Sequence, residues 1–265
     1  LKAMTRVGLL VGSRDCKGLA PACQGLDTEC IDRARCPASM SRIFYDQMVT
    51  DARHAGLDCR GGFHPAVDDQ VPEIGTGRRP GTLVLLGFAG SSQWPSFEAS
   101  EEFRDGLGDP LDRWSRRVID GLAARFGAGS AYPFGGPPWW PFQRWAMKAE
   151  GLRASPLGIL MHPQFGLWHS YRGALLFAER IELPAPGLSP HPCDTCLTKP
   201  CLHTCPVNAV HPDRYEAGRC RDFVRSAQGS DCRQSGCLAR RACPVGAEHR
   251  QGVREAAFHM AAFVR

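Results

Sequence analysis

Apolar residues along the chain fall into short periodic blocks separated by Gly and Pro. From Arg42 to Ala55, Ile43, Phe44, Met48 and Ala52 approximate a helical stripe. Leu57 to Phe63 reads as a short strand, and Thr82-Leu-Val-Leu-Leu-Gly87 as a buried one. Ser96 to Phe103 has the look of a helix start, with Ser96 as its N-cap and Glu98 and Glu101 close behind. Asp109 is expected to cap a second helix with Pro110 at its first position. That helix runs to about Phe126, with Leu111, Trp114, Val118 and Leu122 on one face. Segments 157–161 and 168–178 read as a strand pair around His162-Pro-Gln-Phe-Gly166. Pro184, Pro186, Pro190 and Pro192 stiffen a linker over 181–192. A helix over Asp213–Ser226 presents Cys220, and Gly252–Val264 is a closing helix. Helices around a few strands predict an α+β domain over 40–185, followed by a cysteine-rich module over 186–265.

The opening of the chain breaks this pattern. Residues 1–39 carry Cys16, Cys23, Cys30 and Cys36 at intervals of seven, seven and six. Gly18, Pro21, Gly25 and Pro37 interrupt any helix that would align them. A poorly ordered extension is expected there, a third metal site being the alternative. With 265 residues, 43% of them hydrophobic and 22% charged, the chain can bury an ordinary core. No apolar run approaches the roughly 18 residues needed to span a bilayer. No export signal is evident, so a cytoplasmic location is expected. The net charge is +5, and from His191 onward 11 Lys/Arg face 7 Asp/Glu. The surplus thus falls on the cysteine-rich module, which suits an acidic redox partner protein. No stripe of interleaved basic and aromatic residues appears, so no nucleic-acid partner is expected.

Eight of the 13 cysteines lie between Cys193 and Cys243. They run Cys193-Asp-Thr-Cys196, Cys201, Cys205-Pro206, then Cys220, Cys232, Cys237 and Cys243-Pro244. A four-iron cluster takes three thiolates from one loop and a fourth from a distant Cys-Pro, and paired clusters exchange their fourth ligands. The two ends repeat, as Cys205-Pro-Val-Asn-Ala209 and Cys243-Pro-Val-Gly-Ala247. A crossed scheme gives Cys193, Cys196, Cys201 and Cys243 to one [4Fe-4S] cluster and Cys205, Cys220, Cys232 and Cys237 to the other. The spacing is wider than the usual run, with Leu197 to Pro200 between Cys196 and Cys201. Two structural zinc sites are the competing reading, but zinc requires neither Cys-Pro ends nor interleaved runs.

The segment Tyr132 to Trp145 supplies Trp139, Trp140, Phe142 and Trp145 beside rigid Pro and flexible Gly. Trp139 and Trp140 are candidates for the floor of a cofactor or small-molecule pocket. His162, His169, His191 and His203 are candidates for contacts around a cofactor.

A His-Pro-Gln-Phe-Gly-Leu-Trp168 element, a strand with Arg172-Gly-Ala-Leu-Leu176, a proline linker and the two-cluster module together resemble epoxyqueuosine reductase. The reductive dehalogenases are its relatives. The likeness covers about residues 130–250. It implies a nitroreductase-like α+β domain that binds cobalamin, followed by a ferredoxin-like two-[4Fe-4S] module that feeds electrons to the cobalt. His162 and Tyr171 would then be cofactor-binding, and a tyrosine proton donor like that of the dehalogenase branch would be Tyr132 or Tyr171, with Arg172 nearby. The chain departs from that family at three places. The stretch before His162 is Glu150-Gly-Leu-Arg-Ala-Ser-Pro-Leu-Gly158, shorter than the family's Gly-rich element. No Asp or Glu occurs between Asp120 and Glu150, where the family's acid stands. The family's tRNA-gripping helical repeats do not follow Arg265, so no tRNA substrate is expected. The main expectation is an electron-transfer protein with two [4Fe-4S] clusters. The alternatives are a cobalamin-dependent reductase of a small molecule and a zinc-stabilised binding module.

Overall fold

The computed structural model describes residues 38–187 and 189–265. The four N-terminal cysteines and all but the last two residues of the expected extension lie outside them. Those two, 38 and 39, already belong to helix α1 (Ala38–His54). Four antiparallel strands follow in the sheet order β1 (Asp58–Phe63), β2 (Thr82–Ala89), β6 (His169–Phe177) and β3 (Gly129–Ala131). Side chains alternate across a strand, and both faces of this sheet are covered. On β2, Val84, Leu86 and Phe88 join Met48 of α1 and Trp114, Ile119 and Leu122 of α4 (Pro110–Phe126) in one core. Leu83 and Leu85 join Trp145, Ala146 and Ala149 of α5 (Phe142–Glu150) in the other. Burial on two sides is why residues 82–86 are apolar almost without interruption.

Local signals fix most element ends. Pro110 opens α4, and Gly127 closes it in the left-handed conformation that glycine adopts without strain. Asp109 occupies the N-cap position with φ 49°, but its side chain makes no cap bond and turns to Arg265 at 3.4 Å. The expected helix at Ser96–Phe103 is two short ones, α2 (Trp94–Glu98) and α3 (Glu101–Arg104). Ser96 lies inside α2. The capping residue is Ser100, whose Oγ accepts the Phe103 N–H at 3.3 Å.

The expected strand pair around His162–Gly166 also differs. Leu160–Met161 (β5) pairs with Arg153–Ala154 (β4), because a turn closed by Gly158 N–H to Ser155 O folds the chain back early. Strand β6 joins the main sheet instead.

The cysteine-rich part comprises α6 (Pro192–Thr195), α7 (Ala217–Arg225), α8 (Ser230–Ser235), α9 (Leu238–Arg241) and α10 (Val253–Phe263). Helix α10 packs on α8 and sends Phe258 back among Trp94, Phe97 and Phe103, with ring centroids 5.3–6.1 Å apart. A second seam joins the turns at Gly166 and Gly246. Both glycines have positive φ, and a Cβ on either would be built into the other turn's backbone. Among the described residues no helix is long and apolar enough to cross a membrane.

Candidate functional site: two thiol quartets beside a polar cavity

The described residues hold nine free cysteines, Cys59 and the eight of the C-terminal module. The eight fall into two neighbourhoods. Burial pushes the Cys193 thiol up to about 11, and its next influences are Cys243, Cys201 and Cys196. Cys201 responds to burial and then to Cys243 and Cys196, and Cys243 to burial, then to the Val245 N–H, then to Cys196. In the other group Cys220 is raised by burial and by Cys205 and Cys232, and Cys237, up to about 11, by burial and by Cys220 and Cys232. Cys205, Cys220, Cys232 and Cys237 line one apolar hollow with Val207, Phe223, Val224 and Met260.

Main-chain donors surround these sulfurs. Cys205 Sγ accepts the Ala209 N–H at 3.3 Å. Leu202 N–H faces Cys201, Leu238 faces Cys232, Ala239 and Arg240 face Cys237, and Val245 faces Cys243. Such donors favour the thiolate, the form that binds metal. Among the described residues no three Cys, His, Asp or Glu side chains come close enough to share a single metal ion.

A cavity of about 670 Å³ lies where the sheet meets this module. Its walls include Arg53, Asp58 and Arg60 from the sheet side, Ser91 to Gln93 after β2, and Glu248 to Arg250 after the Cys243 turn. Arg60 is 2% exposed and spends its N–H groups on a fixed set of partners. It grips Glu150 through two bonds of 3.1 and 3.2 Å, donates to Phe88 O at 2.6 Å, and meets His169 Nδ1 at 3.3 Å. Its guanidinium lies over the rings of Tyr171 and Phe165 at 5.2 and 5.5 Å. Phe165 in turn meets His249 at 4.9 Å. One stack thus runs from the sheet across the cavity wall to the cysteine module.

Tyr171 donates its hydroxyl to Glu150 Oε2, and burial, then the Glu150 charge, raises its pKa. His169 Nε2 bonds Leu160 O at 2.9 Å, so with Nδ1 accepting from Arg60 the ring is neutral. Burial and then Arg60 hold its pKa down to about 3. His162 uses Nδ1 to accept the N–H groups of Gln164 and Phe165, at 3.0 and 3.1 Å, which shapes its turn. Burial lowers its pKa to about 4.

The other expected candidates stand elsewhere. Trp139 is 68% exposed and Trp140 is half-buried beside the α5 core; neither lines this cavity. Tyr132 bonds Asp120 at 2.5 Å within the core. Arg172, which follows Tyr171, points to the opposite face and binds Asp112 and Ser115. His191 bonds Arg153 O at 3.1 Å, and His203 is exposed. The interval between Asp120 and Glu150 holds no carboxyl, but Glu150 at its end lines the cavity. It is the last residue of α5, which packs on β1, and Arg60 of β1 holds it there. Arg60 and Glu150 carry no local motif. Their one signal is an Arg in a six-residue strand, which needs a carboxylate if it faces inward.

No family model and no curated protein matches the chain. Solved structures do match. A crystal structure of selenomethionine-labelled epoxyqueuosine reductase is 15% identical with a TM-score of 0.51, covering 82% of this chain and 69% of its own. A crystal structure of epoxyqueuosine reductase with a tRNA-Tyr epoxyqueuosine-modified tRNA stem loop is 14% identical, with a TM-score of 0.44 and coverage of 82% and 69%. A structure of the enzyme from Bacillus subtilis is 14% identical, with a TM-score of 0.47 and coverage of 81% and 69%. Over about four-fifths of its length, this chain is therefore similar in fold to epoxyqueuosine reductase.

Proposed function

We propose that the chain is an iron–sulfur oxidoreductase that passes electrons through two [4Fe-4S] clusters to a small molecule in the cavity. Cys193, Cys196, Cys201 and Cys243 hold one cluster, and Cys205, Cys220, Cys232 and Cys237 the other. The observation that carries this reading is the placement of two separate thiol quartets with the cavity directly behind the Cys243 turn. Zinc requires neither the Cys-Pro ends nor the interleaved runs that these cysteines show, and that pattern supports two four-iron clusters instead. The clusters supply one-electron steps when bound. The chain's own residues position and protonate. Arg60 fixes Glu150, and Glu150 accepts the Tyr171 hydroxyl, so an oriented carboxylate stands at the cavity wall, where it can exchange a proton with a bound molecule.

Cobalamin matches this lining poorly. Phe165 is the one large apolar side chain in it, while Arg53, Asp58, Arg60, Glu150, Glu248 and Arg250 are charged. A corrin offers a broad apolar face that these groups do not complement, so no step is drawn through it. A pure electron carrier is the second reading. Leu197, 95% exposed in the loop between Cys196 and Cys201, favours it as an apolar contact for a protein partner beside one quartet.

The test is anaerobic purification followed by iron and sulfide analysis. About eight irons per chain are expected, as two four-iron clusters require. Cys193→Ser and Cys243→Ser should damage the same cluster by electron paramagnetic resonance. Damage to different clusters overturns the ligand assignment, and zinc without iron overturns the function.

A further inference from the structure

A buried carboxylate behind the cavity has no part in the reading above. Glu255, in the first turn of α10, is 2% exposed. Its Oε1 accepts from Gln251 Nε2 at 3.1 Å, and Gln251 Oε1 accepts from Arg240 Nη1 at 3.2 Å. Its Oε2 has no hydrogen-bond partner among the described residues. Two N–H groups nearby are equally unpaired: Arg240 Nε, and Nε1 of Trp168, over whose ring the Arg240 guanidinium lies at 4.3 Å. A carboxylate with a bare buried oxygen is costly, and a proton on that oxygen removes the charge.

The groups facing Glu255 come from four segments. Ser91, a cavity-lining residue, faces it from the loop after β2, and Arg240 from α9. Gln251 precedes α10, and His259 stands one turn further along it at 3.9 Å. Arg254, its chain neighbour, turns away to Glu98 at 3.0 Å. Burial and then Arg240 hold His259 down to about 4, so it stays neutral near pH 7. Burial pushes Arg240 down only to about 10, so it stays charged. Burial raises Glu255, with Ser91, Gln251 and Arg240 opposing. Arg240 also faces Cys237, which links this network to one thiol quartet.

We propose that Glu255 is a proton-exchanging group tied to electron arrival in the Cys205, Cys220, Cys232 and Cys237 cage. Glu255 binds one proton from solvent for each electron that a one-electron donor protein delivers there. It returns that proton through Ser91 to the cavity when the electron leaves. One negative charge and one positive charge enter together and depart together, so the buried network keeps its net charge. This inference rests on the cluster reading.

The experiment is a spectroelectrochemical titration of the full chain, purified without oxygen, at a series of pH values. Over part of the range one wild-type potential should fall by about 59 mV per tenfold drop in proton concentration. Glu255→Gln should hold the same iron and give a flat profile. Equal slopes in the two proteins overturn the proposal, as does a flat wild-type profile. Should the variant not fold, the reduced-minus-oxidised infrared spectrum of wild type decides: a protonated-carboxyl band appearing on reduction supports it, and its absence overturns it. Iron-free protein overturns the cluster reading and this one together, whereas full iron with pH-independent potentials overturns this one alone.

Discussion

Glu102 and Glu255 are both buried carboxylates, and their partners send them in opposite directions. Arg117 grips Glu102 at 2.5 and 3.0 Å, and that bond, ahead of burial, holds its pKa near 2. Glu255 has no such partner, and burial raises it. A depressed carboxylate stabilises the fold above its unfolded pKa, and the gain disappears as pH falls through the folded value. Arg117 is 60% exposed, which weakens the pair. Glu102→Gln should therefore cost about 1 kcal/mol at pH 7, and the difference from wild type should vanish near pH 2, as measured by denaturant unfolding. Gly166→Ala should cost about 3 kcal/mol, because its left-handed φ and the Val245 carbonyl both exclude a Cβ. Gly121→Ala, on the open face of α4, should instead gain about 0.5 kcal/mol. At this scale the sequence revealed residues that belong to spaced sets, above all the cysteines. Arg60 and Glu150 lie 90 positions apart and meet only because β1 and α5 pack together, so no local pattern announces them.

Elements were legible where a periodic stripe coincided with an end signal. Helix α4 has Pro110, its apolar face and Gly127, and its bounds follow from them. Strand β2 was legible from its length and continuous apolar character. The segment after Gln93 was not, because both Ser96 and Ser100 precede acidic residues. Burial of Trp94 and Phe97 starts the helix two residues ahead of Ser96 and leaves Ser100 to cap the next one. Strand pairing also escaped local reading, since β5 and β6 both follow plausible turns and only the sheet decides between partners. Helix α10 has a consequence at this scale: it belongs to both parts of the molecule. Phe258→Ala should lower stability by about 2 kcal/mol, less than for a fully buried ring, in a thermal or denaturant transition. Because α10 also packs on α8, the same change should loosen the Cys232 side of the module, which on the proposed cluster reading means faster iron release to a chelator.

For the whole molecule, the polar cavity lies where the sheet meets the cysteine module, and its walls draw on segments from Arg53 to Arg250. The two parts meet at α10 and at the turns of residues 162–166 and 243–246. The second of these seams contains no side chain at its centre. Main chain rests on main chain, so the approach of the two turns is set by the dimensions of peptide groups. Electron tunnelling weakens exponentially with distance. On the proposed function, an electron route across this seam has its span set by backbone atoms, and a single carbon added to either turn forces the two turns apart.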